Sequence, residues 1–269
     1  MKITIKMGGD LLKGRDINTA LIEDLKALTE EHSVVLVHGG GDLVTEVAKK
    51  LGKEQVFVMS PEGFRSRYTD RETADIYAMV MAGEINTKIV GTLQSFGINS
   101  IGLSGFDGGL IRAERKRRLI IVDEQRRKVA IEGGYTGRIT SVNSGLLEVL
   151  LREGIMPVIS PLAMGLEYEP LNVDGDRTTA AVAKAIQSDV AIYLTDVEGV
   201  ILDGRVVPKI GTLEVEGLLE KIGPGMSTKI HAAIEAIKGG VGKAIITSGF
   251  TESPLRNTLE GKCGTVISL

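Results

Sequence analysis

"SVVLVHGGGDLVTEVAKKLG" occupies residues 33–52. Its first six residues, Ser33 to His38, form a continuous apolar run of the kind buried on both faces of a parallel sheet. Three glycines follow, then apolar residues at helical spacing from Asp42 to Gly52. Asp42 reads as the N-cap of that helix and Gly52 as its stop. A buried strand that passes through glycines into a helix leaves free backbone N–H groups at the turn. With the helix dipole behind them, such groups favour an anion.

The same alternation extends both ways. "KITIK" (2–6) reads as a strand and "NTALIEDLKALTEE" (18–31) as a helix. Residues 73–97 are helical with interruptions, and "INSIGL" (98–103) is a strand. Residues 110–132 read as a hairpin around a polar turn near Asp123–Arg126. Helices at 144–154, 176–187 and 227–240 alternate with strands at 155–160, 190–196 and 243–248, and the chain ends on "GTVISL". This pattern predicts an α/β fold, a three-layer αβα sandwich with a mainly parallel central sheet. A functional boundary is expected near residue 165, dividing 1–165 from 166–269.

Composition narrows the class. With 43 % hydrophobic and 25 % charged residues the chain resembles ordinary soluble domains. No apolar run approaches a membrane span, and Met1 to Lys6 alternates like a strand, unlike a signal peptide. A single cysteine, Cys263, excludes an internal disulfide framework and a cysteine-based zinc site, so the cytoplasm is the default expectation. Three histidines are too few to suggest a histidine metal site. A net charge of −3 and an aromatic content of 4 % with no Trp give no case for nucleic-acid binding. Glycine is the outlier at 34 residues, clustered at Gly8-Gly9, Gly39-Gly40-Gly41, Gly108-Gly109, Gly133-Gly134 and Gly239-Gly240. Any one pair is explained by a tight turn; the set suggests backbone brought close to a ligand.

The usual P-loop and Rossmann glycine fingerprints are absent. Instead, "KMGGD" (6–10) places Lys6 at a strand end before two glycines. Alone, Lys6 reads as a solvated edge lysine. "NVDGDRTTAA" (172–181) brackets a turn with Asn172 and Asp176, and Asp176 alone reads as an N-cap. "GPGMSTK" (223–229) puts Lys229 in the first turn of a helix. "YLTDVEGV" (193–200) is a buried strand running into a polar turn.

These pieces, in this order and over nearly the whole chain, resemble the amino acid kinase family, and within it the acetylglutamate kinase group. The resemblance implies an N-terminal lobe that binds the phosphoryl acceptor and makes a homodimer, and a C-terminal lobe that binds ATP. It implies that Lys6 and Lys229 stabilise the transferring phosphoryl group and that Asp176 orients both. Gly40 and Gly41 become acceptor-side donors, and Asn172 a ligand of the acceptor's α-side groups. Gly8, Gly9, Thr195, Asp196, Gly199 and Lys229 become nucleotide contacts. Mg²⁺ is expected on the ATP phosphates, with no dedicated protein metal site. A carboxylate acceptor is already ionised at neutral pH, so no general base is required and His38 reads as structural.

Acetylglutamate kinases typically carry Gly-Leu-Arg-Val-Thr before the long helix. Here "GFRSRYTDRET" (63–73) inserts two residues between Gly63 and Arg67 and places Tyr68 where valine is usual. Arg67 aligns with the substrate arginine and suits a bidentate grip on the acceptor's α-carboxylate. "SRYTDRET" is similar to kinases acting on LysW-linked substrates, in which glutamate or 2-aminoadipate is held through its amino group on a small acidic carrier protein. Those serve lysine or arginine (ornithine) biosynthesis. Acetylglutamate kinase acting on free N-acetyl-L-glutamate is the alternative. A non-catalytic sensor on the same fold is a third reading, which retention of Lys6, Asp176 and Lys229 argues against.

"RAERKRRLIIVDEQRRK" (112–128) holds eight basic and three acidic residues, a local charge of +5 in an acidic chain. A hairpin bearing Arg112, Arg115, Lys116, Arg117, Arg118, Arg126, Arg127 and Lys128 could dock an acidic carrier beside the acceptor site. A solvated hairpin explains the same charges.

Overall fold

The computed structural model describes residues 1–12, 17–219 and 222–269. In chain order the first half supplies β1 (Lys2–Met7), α1 (Thr19–Glu31), β2 (Ser33–His38), α2 (Gly41–Lys50), β3 (Phe57–Met59), β4 (Arg65–Arg67), α3 (Arg71–Ala78), α4 (Asn86–Ser95), β5 (Ser100–Leu103), β6 (Ile111–Arg115), β7 (Arg118–Val122), β8 (Lys128–Glu132) and β9 (Gly137–Val142). The second supplies α5 (Ser144–Arg152), β10 (Met156–Ile159), β11 (Leu162–Met164), β12 (Pro170–Asn172), α6 (Gly175–Ala185), β13 (Val190–Thr195), β14 (Ile201–Leu202), β15 (Arg205–Val206), β16 (Lys209–Gly211), α7 (Val215–Leu219), α8 (Pro224–Lys238), β17 (Lys243–Ser248), α9 (Pro254–Leu259) and β18 (Thr265–Ser268).

Eight strands form one sheet in the order β16-β18-β17-β13-β1-β2-β10-β5, parallel except where β17 meets β18. Strand alternation builds the layers. Ile3, Ile5 and Met7 of β1 face a core made with α1, α2, α3, α4 and α9. Ala191 and Tyr193 of β13 face the other way, onto α6 and α8. Lys6 lies between Ile5 and Met7 and in register with Tyr193, so it points to the α6 and α8 side. Burying one such isoleucine contributes roughly 1.5–3 kcal/mol, which leaves the register of β1, and hence the direction of Lys6, little freedom. The chain leaves β1 for β2 on one side and reaches β13 on the other, so the order switches there. Parallel sheets bind ligands at such a point, outside the strands' C-terminal ends.

Several local expectations are corrected. Asp42 does not cap α2: Gly40 occupies the cap position, and Asp42 lies in the first turn. Asp176 does not cap α6 either. Asp174 does, accepting from the Arg177 N–H at 2.9 Å, and Asp176 is released into the first turn. The interrupted helix at 73–97 is α3 and α4 joined by a π-helical segment, Met79–Ile85. Residues 110–132 are not one hairpin. β6 pairs with β9 in a separate sheet, and only β7 and β8 form a hairpin, turned by Asp123, whose carboxylate accepts from the Gln125 and Arg127 N–H groups.

Candidate active site

Two glycine turns meet at the C-terminal ends of β1 and β2. A Cβ on Gly39 would stand 2.9 Å from the Gly9 nitrogen, closer than real side chains approach. Gly40 has φ +139°, and a Cβ there would fall 2.2 Å from Ile85 Cδ1 in the π segment. Glycine is therefore required at both positions. π insertions often shape functional sites; this one presses directly under the turn that opens α2. His38, fully buried, braces the turn from behind. One ring nitrogen faces the Gly39 carbonyl at 2.8 Å and the other the Asn86 amide at 3.2 Å. Burial pulls the His38 pKa down to about 4, and the Gly39 contact opposes this only partly. A neutral imidazole donating from Nδ1 to Gly39 and accepting at Nε2 from Asn86 satisfies both contacts.

Lys6, Asp176 and Lys229 converge on the same face of the sheet. Asp176 Oδ1 lies 3.0 Å from Lys6 Nζ, and Oδ2 lies 3.3 Å from Lys229 Nζ. The carboxylate is 5 % exposed and Lys6 7 %, so the centre is largely dry. Burial alone would raise the Asp176 pKa, but Lys6 and then Lys229 outweigh it and hold the group below the usual carboxylate range. Oδ1 has its ion pair but no aligned hydrogen bond. Next to it, crowding by protein and then the Asp176 charge raise the Asp174 carboxyl, although part of that residue reaches solvent.

The expected nucleotide residues lie beside this centre. Gly8 sits against the end of β13, where a Cβ would be 3.1 Å from the Leu194 carbonyl oxygen. Thr195 is buried and donates to Asp196 Oδ1 at 3.0 Å, and Asp196 is exposed. Gly199 has φ +159° and lies 2.7 Å, measured from its notional Cβ, from Thr265 Oγ1, which accepts from the Val200 N–H.

Among the residues expected on the acceptor side, Arg67 reaches the second glycine turn. Its Nη2 donates to the Gly41 carbonyl at 2.7 Å and to Thr45 Oγ1 at 3.0 Å, and its Nη1 to Gln55 Oε1. Three of the Arg67 guanidinium hydrogens therefore meet groups of its own chain. Asn172 donates to Thr69 Oγ1 at 2.9 Å, tying β12 to the residue just past β4. Thr69 was not singled out from the sequence; it is buried and lies two residues after Arg67 in the same motif. The tip of the β3–β4 hairpin reaches α8, where Phe64 meets the His231 ring edge-on at 5.7 Å, two residues beyond Lys229.

The eight basic residues of 112–128 are divided between β6, the β7–β8 hairpin and the loops beside them, and they differ in what they touch. Arg112 and Arg115 belong to β6. Arg112 lies over the Tyr168 ring at 5.7 Å, while Arg115 lies over Tyr135 at 4.1 Å and donates to the Gly134 carbonyl. Arg127 pairs with Asp123 at 2.8 Å. Lys116 is half-buried; desolvation and then Arg177 lower its pKa, with Asp174 opposing. Arg117, Arg118, Arg126 and Lys128 are exposed.

Among the described residues no group of three or more His, Cys, Asp or Glu side chains is placed to hold a metal ion, and no helix is long and apolar enough to cross a membrane. Two glycine turns whose backbones touch, with two lysines held by one carboxylate between them, can receive a polyphosphate and a second anion side by side.

Comparison with known proteins agrees with this geometry. The chain is 45 % identical over 267 residues to the LysW-aminoadipate/LysW-glutamate kinase of Saccharolobus solfataricus, covering 99 % of both chains. A Cenarchaeum symbiosum protein given the same name provisionally is 54 % identical over 265 residues, 98 % of each. The fold is shared with N-acetylglutamate synthase from Neisseria gonorrhoeae, at a TM-score of 0.80 and 21 % identity over 100 % of this chain and 59 % of that one. Giardia carbamate kinase also shares it, at 0.67 and 17 % over 99 % and 98 %. The sequence model of the amino acid kinase family matches residues 1–248, and the chain belongs to that family.

Proposed function

We propose that this chain is an ATP-dependent kinase that phosphorylates the side-chain carboxylate of glutamate or 2-aminoadipate while the amino acid is linked to a small acidic LysW-type carrier. The single observation supporting it most is the Lys6–Asp176–Lys229 centre at the switch point of the sheet, flanked by the glycine turns. The names of relatives at 45–54 % identity support the choice of acceptor.

In this reading residues 1–165 hold the acceptor and residues 166–269 the nucleotide. A carboxylate oxygen of the acceptor forms a bond to the γ-phosphorus as the bond from that phosphorus to the β,γ-bridging oxygen breaks. ADP leaves with the electron pair, and an acyl phosphate is the product. Phosphoryl transfer asks the protein chiefly for positioning and for positive charge on the equatorial oxygens. Lys6 and Lys229 supply the charge from either side, and Asp176 keeps two like charges within reach of one site. Gly8, Gly9, Gly40 and Gly41 present N–H groups to phosphate and acceptor, and Asn172 presents its amide to the acceptor's α-side. Thr195, Asp196 and Gly199 border the nucleotide. Mg²⁺ would be held chiefly by the nucleotide's own phosphates and would supply neutralising positive charge there. Of the basic residues Arg112, Arg115, Lys116, Arg117, Arg118, Arg126, Arg127 and Lys128, the exposed Arg117, Arg118, Arg126 and Lys128, unpaired among the described residues, are the ones offered to the acidic carrier. The working form is a cytoplasmic homodimer serving lysine or arginine biosynthesis.

The test is acyl-phosphate formation with Mg-ATP, trapped as the hydroxamate, on free N-acetylglutamate, carrier-linked glutamate and carrier-linked aminoadipate. Turnover of the linked acceptors alone is expected. Efficient turnover of free N-acetylglutamate and none of the linked ones would overturn the reading.

A further inference from the structure

Register partners on neighbouring parallel strands point to the same face of the sheet. Tyr193 of β13 is the partner of Lys6 on β1, so its ring enters the same layer, beneath α6 and α8. The helix faces above it carry alanines: Ala180 and Ala183 on α6, and Ala232, Ala233 and Ala236 on α8. Such small side chains leave room for a phenol ring between sheet and helices. Ala180 follows Asp176 by four residues and Ala233 follows Lys229 by four, so the two charged side chains stand one turn along the same stripes. Tyr193, fully buried, thus lies in the layer that holds the whole Lys6–Asp176–Lys229 centre.

Two polar atoms of that layer are left over. The Tyr193 hydroxyl has no hydrogen-bond partner among the described residues. Neither has Asp176 Oδ1, whose contact with Lys6 at 3.0 Å is an ion pair without an aligned hydrogen bond. One is a donor and the other a charged acceptor. An unpartnered buried hydroxyl costs the full desolvation of the group, so such atoms are ordinarily joined, directly or by a buried water. The charged groups around the pair are Lys6 from β1, Lys229 and Glu235 from α8, and Asp174 and Arg177 from α6. Glu235 is half-exposed and drawn to Arg177 at 3.6 Å, and the Asp174 carboxylate caps α6. Burial first, and then the charges of Asp176, Glu235 and Asp174, push the phenol well above its ordinary pKa, so it stays protonated and able to donate.

We propose that Tyr193 is a positioning residue for phosphoryl transfer: its hydroxyl donates toward Asp176 Oδ1 through one buried water and fixes the carboxylate that aims both lysines. When Lys6 and Lys229 are drawn onto the phosphoryl oxygens, Asp176 gives up part of its ion pairing inside a dry layer. A neutral donor behind it does not follow the phosphate and holds the carboxylate in place. The proposal rests on the phosphoryl-transfer reading of the site but not on the choice of acceptor.

The experiment uses Tyr193→Phe, which keeps the ring and removes only the hydroxyl, alone and combined with Asp176→Asn. On whichever acceptor the enzyme turns over, kcat is expected to fall roughly 10-fold, the loss of one hydrogen bond to a charged group. The KM values for ATP and acceptor should stay within about twofold, because Tyr193 touches neither. In the Asp176→Asn background the same change should cost less than about twofold in kcat, since the charge it serves is gone. The urea midpoint of Tyr193→Phe should fall, whereas removal of a merely orphaned hydroxyl would raise it or leave it unchanged. An unchanged kcat would overturn the proposal, whatever the midpoint does. So would the same loss of kcat in both backgrounds, which would make Tyr193 a packing residue that acts independently of Asp176. If no acceptor turns over, the phosphoryl-transfer reading fails, and the link between Tyr193 and Asp176 is still decided by urea unfolding of the four proteins. Midpoint shifts that simply add would then overturn it.

Discussion

Two groups of charge stand in contrast in this protein. Lys6, Asp176 and Lys229 are far apart in the chain and lie within 3.3 Å of one another through the carboxylate. The basic residues of 112–128 are neighbours in the chain and scatter in space, onto β6, the β7–β8 hairpin and its turn. Burial explains the difference. A charge removed from water must be paired, so the few buried ionisable groups of a fold are driven together wherever their strands and helices permit. Exposed charges are satisfied by water, and nothing gathers them. Proximity in sequence is therefore a poor guide to a charged site, and a buried position at a strand end is a good one.

The sharpest way to break the contrast is to unpair the buried centre. Asp176→Asn keeps the shape and leaves Lys6 and Lys229 facing each other without a counter-charge. Breaking a buried pair by removing one partner is expected to cost about 3 kcal/mol in stability, read by denaturant unfolding. Misplacing both cations should lower kcat about 10³-fold in the hydroxamate assay. Lys229→Ala, at the more open end of the centre, should lose about 10²-fold in kcat with a smaller stability loss. Asp176→Asn with near wild-type kcat would mean that the lysines need no organiser.

The αβα sandwich and the order of its strands and helices were legible because β2, β13 and β17 are largely apolar runs and β1 an alternating one, interleaved with helical periodicity. The lysines and Asp176 were legible only as an ordered set. Lys6 alone looks like an edge residue, and its direction comes from Ile5 and Met7 packing the opposite face. What stayed hidden depends on contacts between distant segments. Nothing local shows that Asp174 rather than Asp176 takes the cap, since both are good caps two residues apart. Nothing in its motif shows that Arg67 will meet Thr45 and Gln55. The pairing of β6 with β9 was hidden because the nearer partner, β7, is equally strand-like.

His38 sharpens the contrast from another side, as a buried ionisable group that escapes pairing by staying neutral. Its folded pKa of about 4 lies below the ordinary 6.5, so between these values the unfolded chain binds the extra proton. Stability should therefore be full above pH 6.5 and fall as pH drops toward 4, by about 3 kcal/mol from this group. Asp176 behaves differently: its depressed pKa places its loss below the ordinary carboxylate range. His38→Gln should flatten the fall between pH 6.5 and 4 and leave the lower limb intact. An unchanged slope in that variant would show that another group drives it.

The exposed cations should give the smallest effects, and the structure says which variants are clean. Reversing Arg115 removes more than charge, because it lies on Tyr135 and bonds the Gly134 carbonyl. Arg117→Glu and Arg126→Glu change surface charge alone. If an acidic carrier approaches this side, each reversal should raise the KM for the linked acceptor about threefold at low salt and less at high salt, because exposed charges are screened within a Debye length of about 8 Å at physiological ionic strength. The ATP KM should not move, since the proposed nucleotide contacts lie on β13, α8 and the turns beside them. The Arg115→Glu/Arg117→Glu pair should exceed the sum of its charges through the lost packing. An effect of Arg117→Glu that persists undiminished in high salt would mean that this residue makes a buried contact with the carrier and that the basic stretch is gathered after all, by the partner rather than by the fold.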